Sequence, residues 1–112
     1  MKAYTDLNQS KKLAEFLPVE SSDMVYNMVN GYNTPWVRIE GIEGLHKEDV
    51  CSWSLAALLS IIPDVSLNSF KDGGWNVMTS QTNDGKMIYA DKKDPVDACY
   101  ELILKFHEQN IL

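Results

Sequence analysis

The longest uncharged apolar stretch of the chain covers residues 52–62, and Pro63 follows it directly. Its large apolar side chains recur at i, i+3, i+4 and i+7, the spacing of one helix face: Leu55, Leu58, Leu59 and Ile62. The pattern predicts a buried central helix over 52–62, with the other elements packed around it. Asp49 or Ser52 is its expected N-cap, because either side chain can accept hydrogen bonds from a first helical turn.

Two further helices are predicted at the two ends of the chain. The first covers 8–17, with Asn8 or Asp6 as its cap, and ends at Pro18 because proline cannot donate to the helical ladder. The second covers 95–109, where Asp94 is placed to cap the helix and Pro95 takes the first helical position. An apolar stripe with helical spacing runs along it: Val96, Cys99, Leu102, Ile103 and Phe106.

After Pro63 the apolar period changes to about two, which is typical of strands. Three short runs at 65–70, 75–80 and 86–90 are separated by turn formers, and Asn-Asp-Gly at 83–85 is a hairpin signal. These runs predict a three-stranded antiparallel meander over about 65–90, with the central and C-terminal helices packed on one of its faces. The expected fold is a single α+β domain over 1–112.

The region 19–39 supports two interpretations. Two segments with β-propensity, 24–29 and 36–39, flank the turn-forming residues 30–35, which favours a short, irregular hairpin. The alternative is a helix over 22–29, capped by Ser21 or Ser22. Residues 41–49, with two glycines and three acids, are expected to form a loop.

The formal net charge is −6, from 16 acidic and 10 basic residues. This balance disfavours direct binding of nucleic acid or of an anionic membrane, because both need an excess of Lys and Arg. No stretch reaches the roughly 20 apolar residues of a spanning helix, and the N-terminus does not resemble a secretory signal. We therefore expect a cytoplasmic protein whose two cysteines are reduced thiols.

The search for chemistry centres on the two cysteines and two histidines. Cys51 lies near the predicted start of the central helix, where a thiol pKa is lowered, and His46 precedes it by five residues. Cys99 and His107 are eight residues apart on one helix, roughly 12 Å along its axis, too far for a dyad or a shared metal. No Cys-x-x-Cys, His-x-x-x-His or phosphate-loop motif occurs, so no catalytic, metal or cofactor residue is assigned and no cofactor is expected.

The candidate partner-binding residues lie in the irregular region and in the acidic loop beside it. Tyr32 and Trp36 are large aromatic residues that would anchor a protein partner if they are exposed. Glu40 and Glu43 belong to an acidic patch around the Gly41–Gly44 loop.

Two stretches carry a resemblance to a known family. They are Cys-Ser-Trp-Ser-Leu-Ala-Ala-Leu-Leu-Ser-Ile-Ile-Pro at 51–63 and Asp-Pro-Val-Asp-Ala-Cys-Tyr-Glu-Leu-Ile-Leu-Lys-Phe-His-Glu at 94–108. In this order they resemble short uncharacterised proteins encoded by phages and integrated mobile elements of gut bacteria. The resemblance covers nearly the whole chain. It implies a mobile-element origin and brings no catalytic residue.

Three functional classes follow from these observations. The first is a non-enzymatic protein-interaction module of a phage or mobile element, with a host or phage protein as its partner. The second is an acidic inhibitor that occupies the nucleic-acid-binding surface of another protein. The third is a small Cys-dependent enzyme that uses Cys51. A homo-oligomer is compatible with all three.

Overall fold

The structure, a computed structural model, describes residues 1–28, 34–38, 47–79 and 87–109. The three helices are α1 (Leu7–Ala14), α2 (Leu55–Ile61) and α3 (Pro95–Glu108), and a 3₁₀ turn covers Val19–Ser21. The strands are β1 (Met24–Tyr26), β2 (Trp36–Val37), β3 (Val50–Ser52), β4 (Ser66–Ser69), β5 (Trp75–Thr79) and β6 (Ile88–Lys92). In the described ranges, no helix combines the length and the apolar character needed to cross a bilayer.

The strands form two antiparallel sheets, which confirms the α+β class. One sheet has the order β4-β5-β6 and is the predicted meander, with Val77 of β5 opposite Leu67 and Ala90. The other has the order β2-β1-β3. Its β1–β2 pair, with Met24 opposite Val37, is the predicted hairpin, so the alternative helix is wrong where residues 24–26 form a strand.

The core is centred on α3 rather than on α2. α3 buries seven residues and packs against β5, β6 and α2. In α2 only Leu58 is fully buried, while Leu55 and Leu59 are half-buried. The prediction that the other elements pack around the central helix is therefore wrong. The main contacts of α2 are with α3, whereas α3 packs against two strands of a sheet as well.

The predicted start of the central helix, at residue 52, is also wrong. Residues 50–52 form β3, and the N-terminal segment pairs with the residues that follow: the Thr5 N–H donates to the Trp53 carbonyl and the Leu55 N–H donates to the Ala3 carbonyl. This pairing holds the chain extended up to Ser54, so α2 begins at Leu55.

The N-cap of α2 is Ser54, not Asp49 or Ser52. The Ser54 hydroxyl oxygen accepts from the Ala57 N–H at 3.2 Å. The N-cap of α1 is Asp6, in a reciprocal capping box with Gln9, in agreement with one of the two predicted caps. α3 covers 95–108, one residue less than the predicted 95–109, and begins at Pro95 with Asp94 as its cap, as predicted.

Candidate partner-binding surface

The edge strand β2 presents two apolar side chains to solvent. Trp36 is 58% exposed and Val37 is 67% exposed. In the sheet order β2-β1-β3, β2 pairs with β1 on one side, and no described strand pairs with its other side. A large aromatic residue beside an open strand edge is a typical place for a protein partner to bind.

Hydrogen bonds from Arg38 hold strand β2 in place. The N–H of Arg38, directly after β2, donates to the Asp23 carbonyl at 2.9 Å. The Arg38 guanidinium donates from Nη2 to the carbonyls of Val19 at 3.1 Å and Ser22 at 2.6 Å. These bonds attach β2 to the 3₁₀ turn. The exposed side chains are therefore held on an ordered backbone, which lowers the entropy lost when a partner binds.

Of the four predicted partner-binding residues, Trp36 is the one whose position the structure gives. It lies at the surface, as the prediction requires. Tyr32, Glu40 and Glu43 lie outside the described residues, so their part in the surface stays a prediction.

A second group of exposed apolar side chains lies on the meander. Met87 is 55% exposed and Tyr89 is 53% exposed, while Ile88 between them is buried. Here the charged side chain of Lys105, from α3, lies against the edge strand β6. Lys105 Nζ donates to the Tyr89 carbonyl at 2.7 Å and lies 5.6 Å from the centre of the Tyr89 ring. A lysine on a strand edge opposes pairing with another chain.

The two thiols are both buried. Cys51 lies inside β3, opposite Val25, and α2 begins only at Leu55, so the prediction of a helix start beside Cys51 is wrong. His46, its predicted partner, lies outside the described residues. Burial raises the pKa of the Cys99 thiol to about 12, so Cys99 stays protonated at neutral pH. Within the described residues, no group of three His, Cys, Asp or Glu side chains is placed to hold a metal ion.

Several carboxylates have structural partners. Lys2 Nζ bonds Asp97 at 2.8 Å and Asp6 at 3.1 Å, and the Lys2 main-chain N–H donates to Asp94 at 2.6 Å. Burial alone would raise the pKa of the Asp97 carboxyl, but hydrogen bonds from Lys2 and Gln9 hold it below its usual range. These three acids lie in the caps and first turns of α1 and α3, so they serve the fold rather than a free anionic face.

Comparison of the chain with protein-family models, with curated proteins and with solved structures finds no match. The evidence that bears on function is therefore the chain's own: the exposed side chains of β2 and the net charge of −6.

Proposed function

We propose that the chain is a non-enzymatic protein-interaction module of a phage or integrated mobile element, and that it binds a host or phage protein in the cytoplasm. The observation that carries this proposal is the exposure of the Trp36 and Val37 side chains on a strand whose backbone the bonds of Arg38 hold in place. Tryptophan is enriched among the residues that dominate binding energy at protein interfaces.

The charge of the chain indicates the chemistry of the partner. At a net charge of −6, the module is attracted to a positively charged protein surface. Glu40 and Glu43 follow Trp36 closely in the sequence. The partner surface that fits is an apolar pocket for Trp36 surrounded by basic residues.

A direct test compares three tagged proteins in a pull-down from lysate of the bacterium that carries the gene. They are the native chain, Trp36→Ala, and the matched control Tyr89→Ala, whose aromatic ring is similarly exposed on the other sheet. We expect the native chain and the control to retain one stoichiometric partner. Trp36→Ala should bind about thirtyfold more weakly, the effect of losing an interface residue worth about 2 kcal/mol.

Circular dichroism of the three proteins checks that each variant is folded. Equal retention of the partner by Trp36→Ala, equal loss in both variants, or no partner for the native chain contradicts the proposal.

The acidic-inhibitor function is a second candidate, favoured by the net charge alone. Under this hypothesis the bound partner is a nucleic-acid-binding protein, and the affinity of the complex falls strongly as the salt concentration rises. Adding the partner's nucleic acid to the complex tests it: an inhibitor competes with the nucleic acid, whereas an interaction module at another surface does not.

A further inference from the structure

A cleft of about 460 Å³ lies between the 3₁₀ turn and α2. Ala56, Ala57 and Ile61 of α2 supply its small and apolar lining. Glu20 and Asp23 supply two carboxylates on the opposite side. A volume of this size lies within the range of about 300–1,000 Å³ that is usual for binding pockets, and it is large enough for one long side chain.

The polar groups of the cleft are hydrogen-bond acceptors. The Ser21 hydroxyl donates its hydrogen to the Pro18 carbonyl, and the Ser60 hydroxyl donates its hydrogen to the Ala56 carbonyl. The Ser21 oxygen also accepts from the Trp53 Nε1–H at 3.0 Å. Each serine therefore has a remaining oxygen lone pair, and no hydrogen, to offer a ligand. No described residue of the lining carries a basic side chain. A cleft of this kind is complementary to a cation that only donates hydrogen bonds.

The Asp23 carboxylate is ordered by the start of α2. It accepts from the Ser54 N–H at 2.9 Å and from the Ser54 hydroxyl. A carboxylate has about four acceptor sites, so Asp23 can accept further hydrogen bonds while it holds Ser54. Glu20 is exposed at the rim. The cleft thus combines one fixed carboxylate with one that can move toward a ligand.

Asp23, which lines the cleft, also borders the β1–β2 pair. Asp23 directly precedes β1, whose Met24 lies opposite Val37 of β2. The Asp23 carbonyl accepts from the Arg38 N–H, which joins the end of β2 to the same turn. A partner that covers Trp36 and Val37 therefore also lies beside the cleft.

We infer that this cleft receives an arginine or lysine side chain of the protein that covers Trp36 and Val37. This inference rests on the proposed function and names the chemistry of its partner. The alkyl stem of the side chain packs on Ala56 and Ala57, while the charged head reaches Asp23 and Glu20. Arginine fits best, because its planar guanidinium can bond two carboxylate groups at once.

The test uses the purified chain and needs no partner. N-acetyl-arginine amide is titrated into ¹⁵N-labelled protein and followed by NMR, with N-acetyl-citrulline amide as the uncharged probe of nearly the same shape. We expect saturable shifts at residues 20–23 and 56–61 with the arginine probe and none with the citrulline probe. Glu20→Gln should weaken the arginine probe about two- to fivefold, the range of an exposed ion pair.

Glu108→Gln, an exposed carboxylate on α3, is the control that makes the same change in net charge and should leave the affinity unchanged. Equal shifts with both probes, shifts spread over the whole surface, or no saturation overturn the inference. If the probe fails while Trp36→Ala still abolishes partner capture, the inference fails and the proposed function stands. If the probe binds while Trp36→Ala changes nothing, the cleft is a cation site and the proposed function fails.

Discussion

At the residue scale, Thr5 joins the N-terminus to three other parts of the chain. Its Oγ1 lies 2.7 Å from the Ser10 Oγ and 3.0 Å from the Ser52 Oγ, and it accepts from the Trp53 N–H at 3.1 Å. Its carbonyl accepts from the Tyr26 hydroxyl at 3.0 Å. Thr5, Ser10 and Ser52 are fully buried. Buried polar groups cost free energy unless they are paired, so the network depends on the Thr5 hydroxyl.

Thr5→Val keeps the shape of the side chain and removes that hydroxyl. We expect the free energy of unfolding to fall by about 1–3 kcal/mol, because the Trp53 N–H and two serine hydroxyls lose a buried partner. Urea denaturation measures the change. Thr5→Ser keeps the hydroxyl and loses one methyl group, so its free energy of unfolding should fall by only about 1 kcal/mol. A valine variant at least as stable as the serine variant would contradict the role given to the network.

Lys2 forms ion pairs with Asp6 at the start of α1 and with Asp97 in the first turn of α3. Burial alone would lower the pKa of the Lys2 amine, but hydrogen bonds to Asp97 and Asp6 raise it above its usual value. The pKa of Asp97 is lowered. The Asp97 contribution to stability is therefore present above the ordinary aspartate pKa and is lost as the pH falls through the lowered value. The Lys2 contribution is present below the ordinary lysine pKa and is lost as the pH rises through the raised value.

Lys2→Met should therefore destabilise the protein at neutral pH and not in strong acid. The side chains are partly exposed, so we expect a loss of at most about 1 kcal/mol at pH 7, reduced by salt. Urea denaturation at a series of pH values checks this, with the difference from the native chain disappearing as the pH falls through the lowered pKa of Asp97. Lys12→Met, which removes the exposed pair with Glu15, is the control and should change little at any pH. A loss for Lys2→Met that does not depend on pH would exclude the ion pairs as its cause.

At the scale of elements, the start of α2 is set by contacts from distant parts of the chain. Ser52, an expected cap, has its hydroxyl in the Thr5 network. Ser54 takes the cap position and is held by Asp23. Both partners lie 31 to 47 residues away in sequence, so the local pattern of residues 49–55 could not show which serine begins the helix. By contrast, Asp94 and Pro95 mark the start of α3 locally, and there the prediction agrees with the structure.

Removing the α2 cap gives a prediction for this element. Ser54→Ala should lower the free energy of unfolding by about 0.5–2 kcal/mol, because the Ala57 N–H loses its acceptor and Asp23 loses a donor. Ser60→Ala in the same helix, where the hydroxyl only bonds back to Ala56, should be close to neutral. Denaturant melts of the two variants provide the measurement. Equal effects would mean that Ser54 does not act as the cap.

At the scale of the whole molecule, the edge strand β2 of one sheet and the edge strand β6 of the other have different surroundings. The edge of β6 carries Lys105 from α3, whereas the described surroundings of β2 place Trp36 and Val37 in solvent. This contrast is the reason to place the partner at β2 and not at the exposed side chains of the meander. A charged edge protects a sheet against pairing, while an open apolar edge invites it.

The sequence could predict part of this surface. It singled out Trp36 because an aromatic residue stood in a region of weak periodicity and many turn formers. It could not show that Arg38 holds β2 against the 3₁₀ turn, or that Asp23 joins that turn to α2. Both are bonds between segments that are distant in sequence, and a local pattern of hydrophobic and polar residues does not encode them.

The most direct measurement is site-specific photo-crosslinking in the native host. A photoreactive phenylalanine analogue replaces Trp36 in one protein and Tyr89 in another, two positions of similar exposure on different sheets. The account predicts a crosslink to one protein from position 36 and none to that protein from position 89. Equal crosslinking from both positions, or a crosslink from position 89 alone, would contradict the claim that the β2 edge is the partner-binding surface.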